Sequence, residues 1–541
     1  GKAVTHELPN WVLTPNFSIE WGPNLTNEDG TRPVSDADGD SIPDVVERWA
    51  ELFEASFATV AQVLKPAAPD SVYAGTALAT DRIPIYLGNS SPASTVDDIS
   101  SGTYAFTQDA SPAPYIVVNN NLSFVPPNDD PEGRLRGAMK ITAAHEFFHV
   151  IQFLYEPGVW IPTDDDWWLE TSSTWMEDEV FDVVNDYYQY FGTAGWASTV
   201  EAGLPVVFGT SQYITRAYGG VIFAKYLAEH VGGQEMMGEI WDLIRPAPGR
   251  RALDALDAYA ASRGLADVET LFLGFSAANA VMDYEEGANF GLVPIRSTGT
   301  LDHAETAPAL VPDYLGATYL LRSGNSAGLE VSLTGSPGVR WGLSLVVDRA
   351  QGYSLALGAS LPAGAGSLTV GSLDAGDALY AIPAFLSPSA TSLSYATATA
   401  PAPGADAAAP GLPSNFAPVP TAGGFDATWT PPADVDLAGH VVRWRLQGDA
   451  SYSSRTLVAP IRAVEVRSLA VGTYVVEILA YDAAGNVGSA RTGAVSVALA
   501  QADARIPASD TIILESSSAS PSGDGGGGGG GGGCFLDLLA H

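Results

Sequence analysis

The chain has 541 residues, 46% of them hydrophobic, which is enough for several packed cores and excludes a globally disordered protein. Its 62 acidic and 25 basic residues give a net charge of −37, which argues against binding to nucleic acids or to anionic membrane surfaces. The single cysteine, Cys534, excludes an internal disulfide, and no apolar run reaches the roughly 18 residues that a membrane span needs.

The first distinctive segment is an acidic loop at residues 36–47, which runs into a predicted helix. Oxygen-bearing side chains occupy loop positions 1, 3, 5, 9 and 12, and position 7 can offer its backbone carbonyl. This is the ligand order of an EF-hand-type calcium loop, although Ser41 stands where glycine is usual. The predicted ligands of a structural Ca²⁺ are Asp36, Asp38, Asp40, Ile42, Asp44 and Glu47. An acidic, capped helix start is the alternative interpretation, because Asp is favoured there.

Residues 1 to about 290 have the apolar periodicities of a mixed α/β region. Strands are predicted at Arg82–Leu87 and Tyr115–Val118. The second of these could supply an edge for an extended peptide, or it could be an internal strand. Helices are predicted near residues 44–64, 134–154, 167–184, 217–231 and 252–277.

The helix predicted at 134–154 contains the motif H-E-x-x-H at residues 145–149. Histidines at positions i and i+4 project from one helix face, so His145 and His149 can bind the same metal ion. Glu146 lies beside them, where it can take a proton from a water molecule at the metal. Chance occurrence is the alternative, but this motif has apolar helical flanks on both sides.

A catalytic zinc ion needs three protein ligands and an open position for water. Position 155, where the pattern H-E-x-x-H-x-x-G-x-x-H has a third histidine, is Tyr155. Glu170 lies 21 residues after His149, so an antiparallel second helix can bring its carboxylate to the metal. Glu177, about two turns further on, is the competing ligand. We favour Glu170, which completes a His₂Glu set, and expect Glu177 to support the ligands or to face solvent.

These features resemble the gluzincin metallopeptidases, in which a glutamate on the next helix follows H-E-x-x-H. Trp168–Ser173 is similar to the W-L-x-E-G-x-A run of the aminopeptidase branch, with one residue fewer before the glutamate. The segments TAAHEFFHVIQ, WWLETSSTWMEDEV and AYGGVIFAKYLAEHVG more closely resemble a family of secreted metalloproteases from Myxococcus-like bacteria. The resemblance covers roughly residues 10–280. It implies a zincin-like fold with calcium-type loops and C-terminal β-modules.

The resemblance also bears on an oxyanion-stabilising group and on the kind of peptidase. Tyr218 resembles the Y-x-x-G tyrosine that stabilises the oxyanion in the aminopeptidase branch, and a core aromatic is the equal alternative. His230, at a predicted helix end, has a weaker claim and is expected to be a surface residue or a capping residue. The amino-terminus-binding sequence G-x-M-E-N of those aminopeptidases is absent, which favours an endopeptidase.

After about residue 295 the pattern changes to short β-like runs separated by Gly, Ser and Pro, which predicts a small β-sandwich. Residues 399–413 are a Pro/Ala linker, and residues 414–498 resemble a fibronectin type III domain. Trp429 and Trp444 lie in its predicted early strands, and Tyr474 would be the corner tyrosine of that sandwich.

The chain ends in a Ser/Gly-rich tail with nine consecutive glycines before Cys534. A flexible tail is the simplest interpretation. The glycine run and cysteine also resemble the start of bacterial C-terminal sorting tags, which would mean attachment to the cell surface.

Together these patterns predict a multidomain bacterial protein: an α+β zincin-like catalytic domain, two all-β sandwich domains and a disordered Gly-rich tail. The predicted domains are 1–294 with the calcium loop 36–47, then 295–398, the linker 399–413, 414–498 and the tail 499–541. The predicted activity is that of a secreted or surface-attached zinc endopeptidase acting on proteins or peptides. The alternatives are a catalytically silent surface adhesin with a metallopeptidase-like core and a metal hydrolase acting on other substrates.

Overall fold

The structure is a computed structural model of the chain, and the residues that it describes fall into two compact units. The first unit contains Gly1–Tyr187, Met237–Arg250 and Asp503–His541, and the second contains Tyr188–Met236 and Arg251–Ala502. The described residues are 6–64, 82–109, 114–155, 166–190, 214–244, 251–292, 301, 303–305, 315–387, 394–402, 404–498 and 515–516.

The regular elements confirm the predicted combination of a helical N-terminal region and several β-sheets. The α-helices are α1 (Asp44–Val63), α2 (Arg134–Tyr155), α3 (Asp166–Val180), α4 (Ile214–Gly219), α5 (Val221–Leu227), α6 (Met236–Ile244), α7 (Ala252–Ser262) and α8 (Val268–Val281). A π-helical turn follows α5 at Ala228–Gly232, and 3₁₀ turns lie at Asp186–Tyr190 and Gly287–Leu292.

The strands follow the same chain order and are short in the first unit and longer in the second. They are β1 (Asn10–Leu13), β2 (Phe17–Trp21), β3 (Ile83–Gly88), β4 (Ala105–Gln108), β5 (Tyr115–Asn119), β6 (His303–Glu305), β7 (Gly316–Ala317), β8 (Leu320–Ser323), β9 (Leu329–Gly335), β10 (Trp341–Arg349), β11 (Tyr353–Leu361), β12 (Ala365–Val370), β13 (Ala378–Phe385), β14 (Tyr395–Pro401), β15 (Ser414–Thr421), β16 (Gly424–Thr430), β17 (Leu437–Leu446), β18 (Ser453–Val458), β19 (Ala463–Val466), β20 (Gly472–Asp482), β21 (Arg491–Val497) and β22 (Glu515–Ser516).

The first unit has one mixed sheet with the strand order β22-β1-β2-β3-β5-β4. Strands β2, β3 and β5 run parallel, whereas β4 pairs with β5 in the antiparallel direction. The strand predicted at Tyr115–Val118 is β5, and it is internal to the sheet. Among the described strands, β22 and β4 lie at the two edges of this sheet, and neither was predicted from the sequence.

Helix α2 is buried on every side from Gly137 to Phe153. Its apolar residues are not confined to one face, which is the pattern of a helix surrounded by protein. Phe147 packs against Phe17 of β2 and Phe57 of α1, with ring centroids 5.5 Å apart in both pairs. Phe148 packs against Trp241 of α6 at 6.5 Å. The H-E-x-x-H motif therefore lies within the core of the first unit.

Helices form in all five predicted segments, but three of the predictions differ in detail. The helix predicted at 167–184 ends at Val180, and the segment predicted as one helix at 217–231 forms α4, α5 and the π-helical turn. The segment predicted as one helix at 252–277 forms two helices, α7 and α8. Residues Arg263–Asp267 separate them, because Gly264 adopts a positive φ of 77° and Asp267 caps α8 by accepting a hydrogen bond from the Thr270 amide. The apolar periodicity continues across this break, so periodicity alone did not reveal it.

The second unit contains a β-sandwich formed from the sheets β11-β10-β13-β7, with β8 also pairing with β13, and β12-β9-β14-β6. Strand β10 is apolar along most of its length because protein covers both of its faces. Leu343 and Leu345 belong to the core shared with β9, and Ser344 on the other face donates a hydrogen bond to the Leu273 carbonyl of α8. Strand β14 extends to Pro401, three residues into the predicted linker.

A second sandwich combines the sheets β15-β16-β19 and β18-β17-β20-β21. This three-plus-four arrangement is that of a fibronectin type III-like domain. The Tyr474 hydroxyl donates to the Ala470 carbonyl at 3.0 Å, which confirms the predicted corner tyrosine. Trp429 and Trp444 lie in strands β16 and β17, as the sequence predicted, and both are buried.

Little of the C-terminal tail belongs to the described residues. Within residues 499–541 the structure describes the pair Glu515–Ser516, which forms β22 opposite β1. Cys534 and the glycine run lie outside the described residues. No helix in the described ranges combines the length with the apolar character that a membrane span requires.

A buried histidine should make the second sandwich sensitive to acid. His440 of β17 is 1% exposed and packs on Trp429, and neither ring nitrogen has a hydrogen-bond partner among the described residues. Burial lowers its pKa from 6.5 to about 4. A lowered pKa means that the folded state favours the neutral ring, so stability is complete above pH 6.5 and is lost as the pH falls towards 4. The loss should reach about 3 kcal/mol.

The expected test is thermal unfolding followed between pH 7.5 and 4 for the wild type and His440→Leu. The variant should lose less stability than the wild type over that range, and the two should differ little in slope above pH 7. Equal losses in both proteins would contradict the assignment to His440.

Candidate metal centre

The candidate site lies where α2 and α3 pack against each other. His145 is opposite Glu177, His149 is opposite Glu170, and Gln152 is opposite Leu169, so the two helices run antiparallel as predicted. The connection between them, residues 156–165, lies outside the described residues. The antiparallel packing brings together residues that are 17 to 32 positions apart in the chain.

Three side chains that could hold a metal ion converge at this contact: His145, His149 and Glu170. Glu170 Oε2 lies 3.1 Å from His145 Nε2 and 3.6 Å from His149 Nε2. Two ligands at about 2.0–2.1 Å from a tetrahedral zinc ion would be roughly 3.3 Å apart, so the observed distances bracket that spacing. All three side chains are buried.

The orientation of the rings also suits a cation. In each histidine, Nδ1 faces an oxygen acceptor at 2.7 Å: Glu177 Oε1 for His145 and Gln152 Oε1 for His149. A neutral imidazole has one N–H group, and if Nδ1 uses it, Nε2 presents a lone pair towards Glu170. Lone pairs that face a carboxylate oxygen repel it unless a proton or metal ion lies between them. Two imidazoles and one carboxylate are a donor set that fits Zn²⁺.

The pKa shifts of Glu170, His149 and His145 also indicate that the centre favours a positive charge beside the Glu170 carboxylate. Burial opposes charge on Glu170, but the charge of His149 and the hydrogen bond from His145 outweigh it and hold the pKa of Glu170 far below its usual range. Burial would lower the pKa of His149, but Glu170 raises it overall. Burial lowers the pKa of His145 to about 4. The centre thus favours a carboxylate balanced by a single positive charge.

The Glu146 carboxyl group lies towards β4, away from the groups that contact Nδ1 of His145 and His149. Its Oε2 accepts a hydrogen bond from the Thr107 hydroxyl at 2.7 Å, whereas Oε1 is buried and has no hydrogen-bond partner among the described residues. Burial raises the pKa of Glu146 to about 7, against the opposing charge of His149. A carboxylate with this pKa can both accept and return a proton near neutral pH.

The sequence left two possibilities for Glu177: it could support the metal ligands or face solvent. The structure places it behind the candidate ligand His145. It is buried, and its carboxylate shares a hydrogen bond with His145 Nδ1. Burial, together with the charges of Asp186 and Asp178, raises the pKa of Glu177 well above its usual range. A hydrogen-bonded carboxyl group behind a histidine fixes the orientation of its ring.

Tyr218 and His230 belong to the second unit. Tyr218 is buried in the last turn of α4 and packs on Tyr190 with ring centroids 5.0 Å apart, so it is not at a helix start, and its role as an oxyanion group stays a prediction. The expectation that His230 is at the surface is wrong. It is 4% exposed, and its ring nitrogens lie 3.0 Å and 2.6 Å from the carbonyl oxygens of Thr456 and Asp283.

The acidic loop brings together three of its six predicted ligands, Asp36, Asp38 and Asp40, whose exposed carboxylates could hold a cation. Asp44 Oδ1 accepts a hydrogen bond from the Ala37 amide, and Glu47 lies outside that cluster. Burial and the charges of Asp38, Asp40 and Asp44 raise the pKa of Glu47 to about 7. The Ile42 amide donates to Asp40. The helix cap at Pro43 has no side-chain hydrogen bond, so the loop acids do not serve as caps.

Sequence reasoning missed the residues that support the site from behind. Thr107 lies 39 positions before Glu146 on a strand without a strong pattern, so the sequence held no signal for it. Gln152 did have one: it follows His149 by one helical turn and therefore shares its face. Ser172 and Ser173 lie two and three residues after Glu170, in a run that entered the sequence analysis only through its resemblance to known metallopeptidases.

Comparisons with known proteins concern the C-terminal sandwich. No protein-family profile matches the chain, and no curated protein matches it. A solved FN3 domain of human collagen XX is 22% identical over 18% of this chain and 99% of that chain, with a TM-score of 0.15. The FN1–FN3 domains of chicken CNTN1 are 13% identical over 29% of this chain and 55% of that one, with a TM-score of 0.17. Likeness at this level supports no functional conclusion, and the strand order itself defines the sandwich.

The geometry predicts that Glu170 contributes directly to metal affinity. Glu170→Ala should lower the affinity for Zn²⁺ more than about 100-fold, beyond the effect of losing a supporting group. Glu177→Gln, which keeps an acceptor behind His145, should lower it by about tenfold or less. Competition with a chromophoric chelator measures both, and unchanged affinity in Glu170→Ala would show that the third ligand is another residue.

Proposed function

We propose that the protein is a zinc-dependent endopeptidase of gluzincin type. The observation that carries the proposal is the placement of Glu146 on the motif helix beside a converged His₂Glu donor set, with its Oε1 buried and without a hydrogen-bond partner in the part of the chain that the structure describes. A structural metal site would need neither a general base nor an acid with a raised pKa. A zinc ion in this set would supply Lewis acidity, lowering the pKa of a water molecule and polarising the substrate carbonyl.

Glu146 would perform the proton transfers. Its Oε1 takes a proton from the attacking water, and the same oxygen returns it to the nitrogen of the departing amine. The Thr107 hydroxyl lies 2.7 Å from the other oxygen, Oε2, and 2.8 Å from the Glu146 carbonyl oxygen, so a hydrogen bond from it to Oε2 would favour this orientation of the carboxyl group. The pKa of about 7 suits both directions of transfer.

Strand β4 supports a peptide as the substrate. It lies at the end of the sheet, and the strand order among the described residues places β5 as its sole neighbour. An edge strand can pair its backbone with an extended peptide, which recognises the main chain without regard to sequence. Because Thr107 belongs to β4 and contacts the base, a peptide bound along this edge would lie next to Glu146. The absence of G-x-M-E-N supports internal cleavage.

We also propose that the loop at Asp36, Asp38 and Asp40 binds a structural Ca²⁺ and that the protein acts outside the cell. Crowded carboxylates in an exposed loop repel one another, and an oxygen-coordinated divalent cation relieves that repulsion. Millimolar calcium is an extracellular condition, and a single cysteine is compatible with it because large cores do not need disulfides. Surface attachment through the C-terminal tail remains part of this proposal.

Activity should depend on Glu146 and on the metal together. Glu146→Gln should cleave casein or a quenched fluorescent peptide about 10²- to 10⁴-fold more slowly than the wild type, because it cannot accept the proton. It should bind the same molar amount of zinc, which metal analysis would measure. Chelator should abolish wild-type cleavage, and added zinc should restore it. A wild-type protein that binds zinc but cleaves no peptide would instead support the silent adhesin.

Calcium should stabilise the wild type through the acidic loop. At free Ca²⁺ about 100 times the Kd, the expected gain is about 2.7 kcal/mol in unfolding free energy, seen as a rise in Tm. Asp38→Asn with Asp40→Asn should remove the rise. Asp98→Asn, which removes an exposed acid elsewhere in the first unit, is the matched control and should retain it. A calcium-dependent rise that survives the double substitution would place the ion elsewhere.

A further inference from the structure

The two ring nitrogens of His149 have different surroundings. Nε2 is buried and has no hydrogen-bond partner among the described residues. Nδ1 lies 2.7 Å from Gln152 Oε1 and 3.2 Å from Ser173 Oγ. The ring can bind a metal through Nε2 only if its hydrogen is on Nδ1, so whatever fixes that hydrogen also prepares the ligand.

The amide of Gln152 can face His149 in one orientation only. Its nitrogen lies 3.0 Å from the Leu169 carbonyl oxygen, 3.0 Å from Ser172 Oγ and 3.1 Å from Ser173 Oγ, all on α3. A backbone carbonyl accepts hydrogen bonds and cannot donate them. The NH₂ group must therefore face Leu169, and the amide oxygen must face His149.

Ser172 strengthens this assignment. Its hydroxyl donates to the Trp168 carbonyl at 2.6 Å, one turn earlier in α3. With its single hydrogen used there, Ser172 Oγ can only accept a hydrogen bond from Gln152. Both N–H groups of the amide thus have acceptors on α3, and reversing the amide would set its oxygen against the Leu169 carbonyl.

The tautomer of His149 follows from these contacts. An amide oxygen accepts hydrogen bonds only, so His149 Nδ1 must donate to it, and Nε2 carries a lone pair. Gln152 has no ionisable group, so its amide oxygen stays an acceptor at every pH. His145 differs, because its partner Glu177 is a carboxyl group that can hold a proton of its own.

We infer that Gln152 is a positioning residue that holds His149 in the Nδ1–H tautomer, with its own amide anchored by Leu169, Ser172 and Ser173 of α3. This inference rests on the proposed metal site but not on peptide cleavage. It makes the packing of α2 against α3 part of the ligand geometry. The two histidine ligands are then supported by chemically different groups, a carboxyl for one and an amide for the other.

The first test compares Gln152→Leu with Thr142→Val. Thr142 is also buried in α2, and its hydroxyl has no hydrogen-bond partner among the described residues, so it is a matched control for loss of a buried polar group. Gln152→Leu should weaken Zn²⁺ binding about 10- to 100-fold in chelator competition. Thr142→Val should bind zinc as the wild type does. Equal affinities in all three proteins would overturn the inference.

The second test observes the ring hydrogen itself. In the Co²⁺-substituted protein, the Nδ1–H of each histidine ligand gives a strongly shifted proton NMR signal that exchanges with solvent. The signal of His149 should be sharp in the wild type and broadened or lost in Gln152→Leu, while that of His145 persists. Retention of both signals in the variant would overturn the inference even if zinc affinity fell, because the loss would then be a packing effect.

A milder variant keeps the test decisive if Gln152→Leu does not fold. Ser173→Ala removes one acceptor of the amide and one contact of His149 Nδ1, and leaves the α2–α3 contact otherwise intact. It should lower zinc affinity by up to about tenfold and speed solvent exchange of the same signal.

Zinc binding in the wild type without peptide cleavage would refute the proposed function and leave this inference standing, whereas a wild type that binds no metal would refute both.

Discussion

The burial of α2 from Gly137 to Phe153 is the constraint on which the first unit depends. A helix surrounded by protein can carry ionisable residues only if each polar atom has a partner, because an unpaired buried charge costs several kcal/mol. His145, Glu146, His149 and Gln152 all lie on this helix, and nearly every polar atom of their side chains has a partner on α3 or β4. Among the described residues, His149 Nε2 and Glu146 Oε1 have no hydrogen-bond partner, and they belong to the two residues proposed for metal binding and proton transfer; Thr142 Oγ1 on the same helix also has none.

This arrangement separates the tasks of the surrounding elements. Helix α3 supplies Glu170 to the candidate ligand set. It also supplies the groups that lie behind the two histidines: Glu177, Ser172 and Ser173. Strand β4 supplies Thr107 to the base and an edge that suits an extended peptide. A single helix–helix contact therefore determines the proposed metal geometry, and a single strand relates the proposed substrate to the proposed base.

Much of the fold followed from local patterns. Apolar periodicity located α1, α2 and α3, and alternating short strands with turn residues located the two sandwiches, including the corner tyrosine Tyr474. Periodicity failed between α7 and α8, where Gly264 interrupts the helix within an apolar pattern that continues. Periodicity also did not reveal which strand lies at an edge of the sheet, because the order in which strands pair depends on contacts between distant segments of the chain. Strand β5, which was predicted from its apolar run, is internal to the sheet. Strand β4, in which apolar and polar residues are mixed, lies at an edge.

The amino-acid sequence by itself determined which residue types could form a metal site, since the spacing of His145, Glu146 and His149 acts within one helix. It also located Glu170 by an argument about the next helix. Only the tertiary structure decided that Glu177 supports His145, that Thr107 holds Glu146, and that Gln152 faces His149 with its oxygen. The physical reason is that a spacing within a helix defines a face, whereas hydrogen-bond direction depends on which donors and acceptors the neighbouring elements place opposite that face.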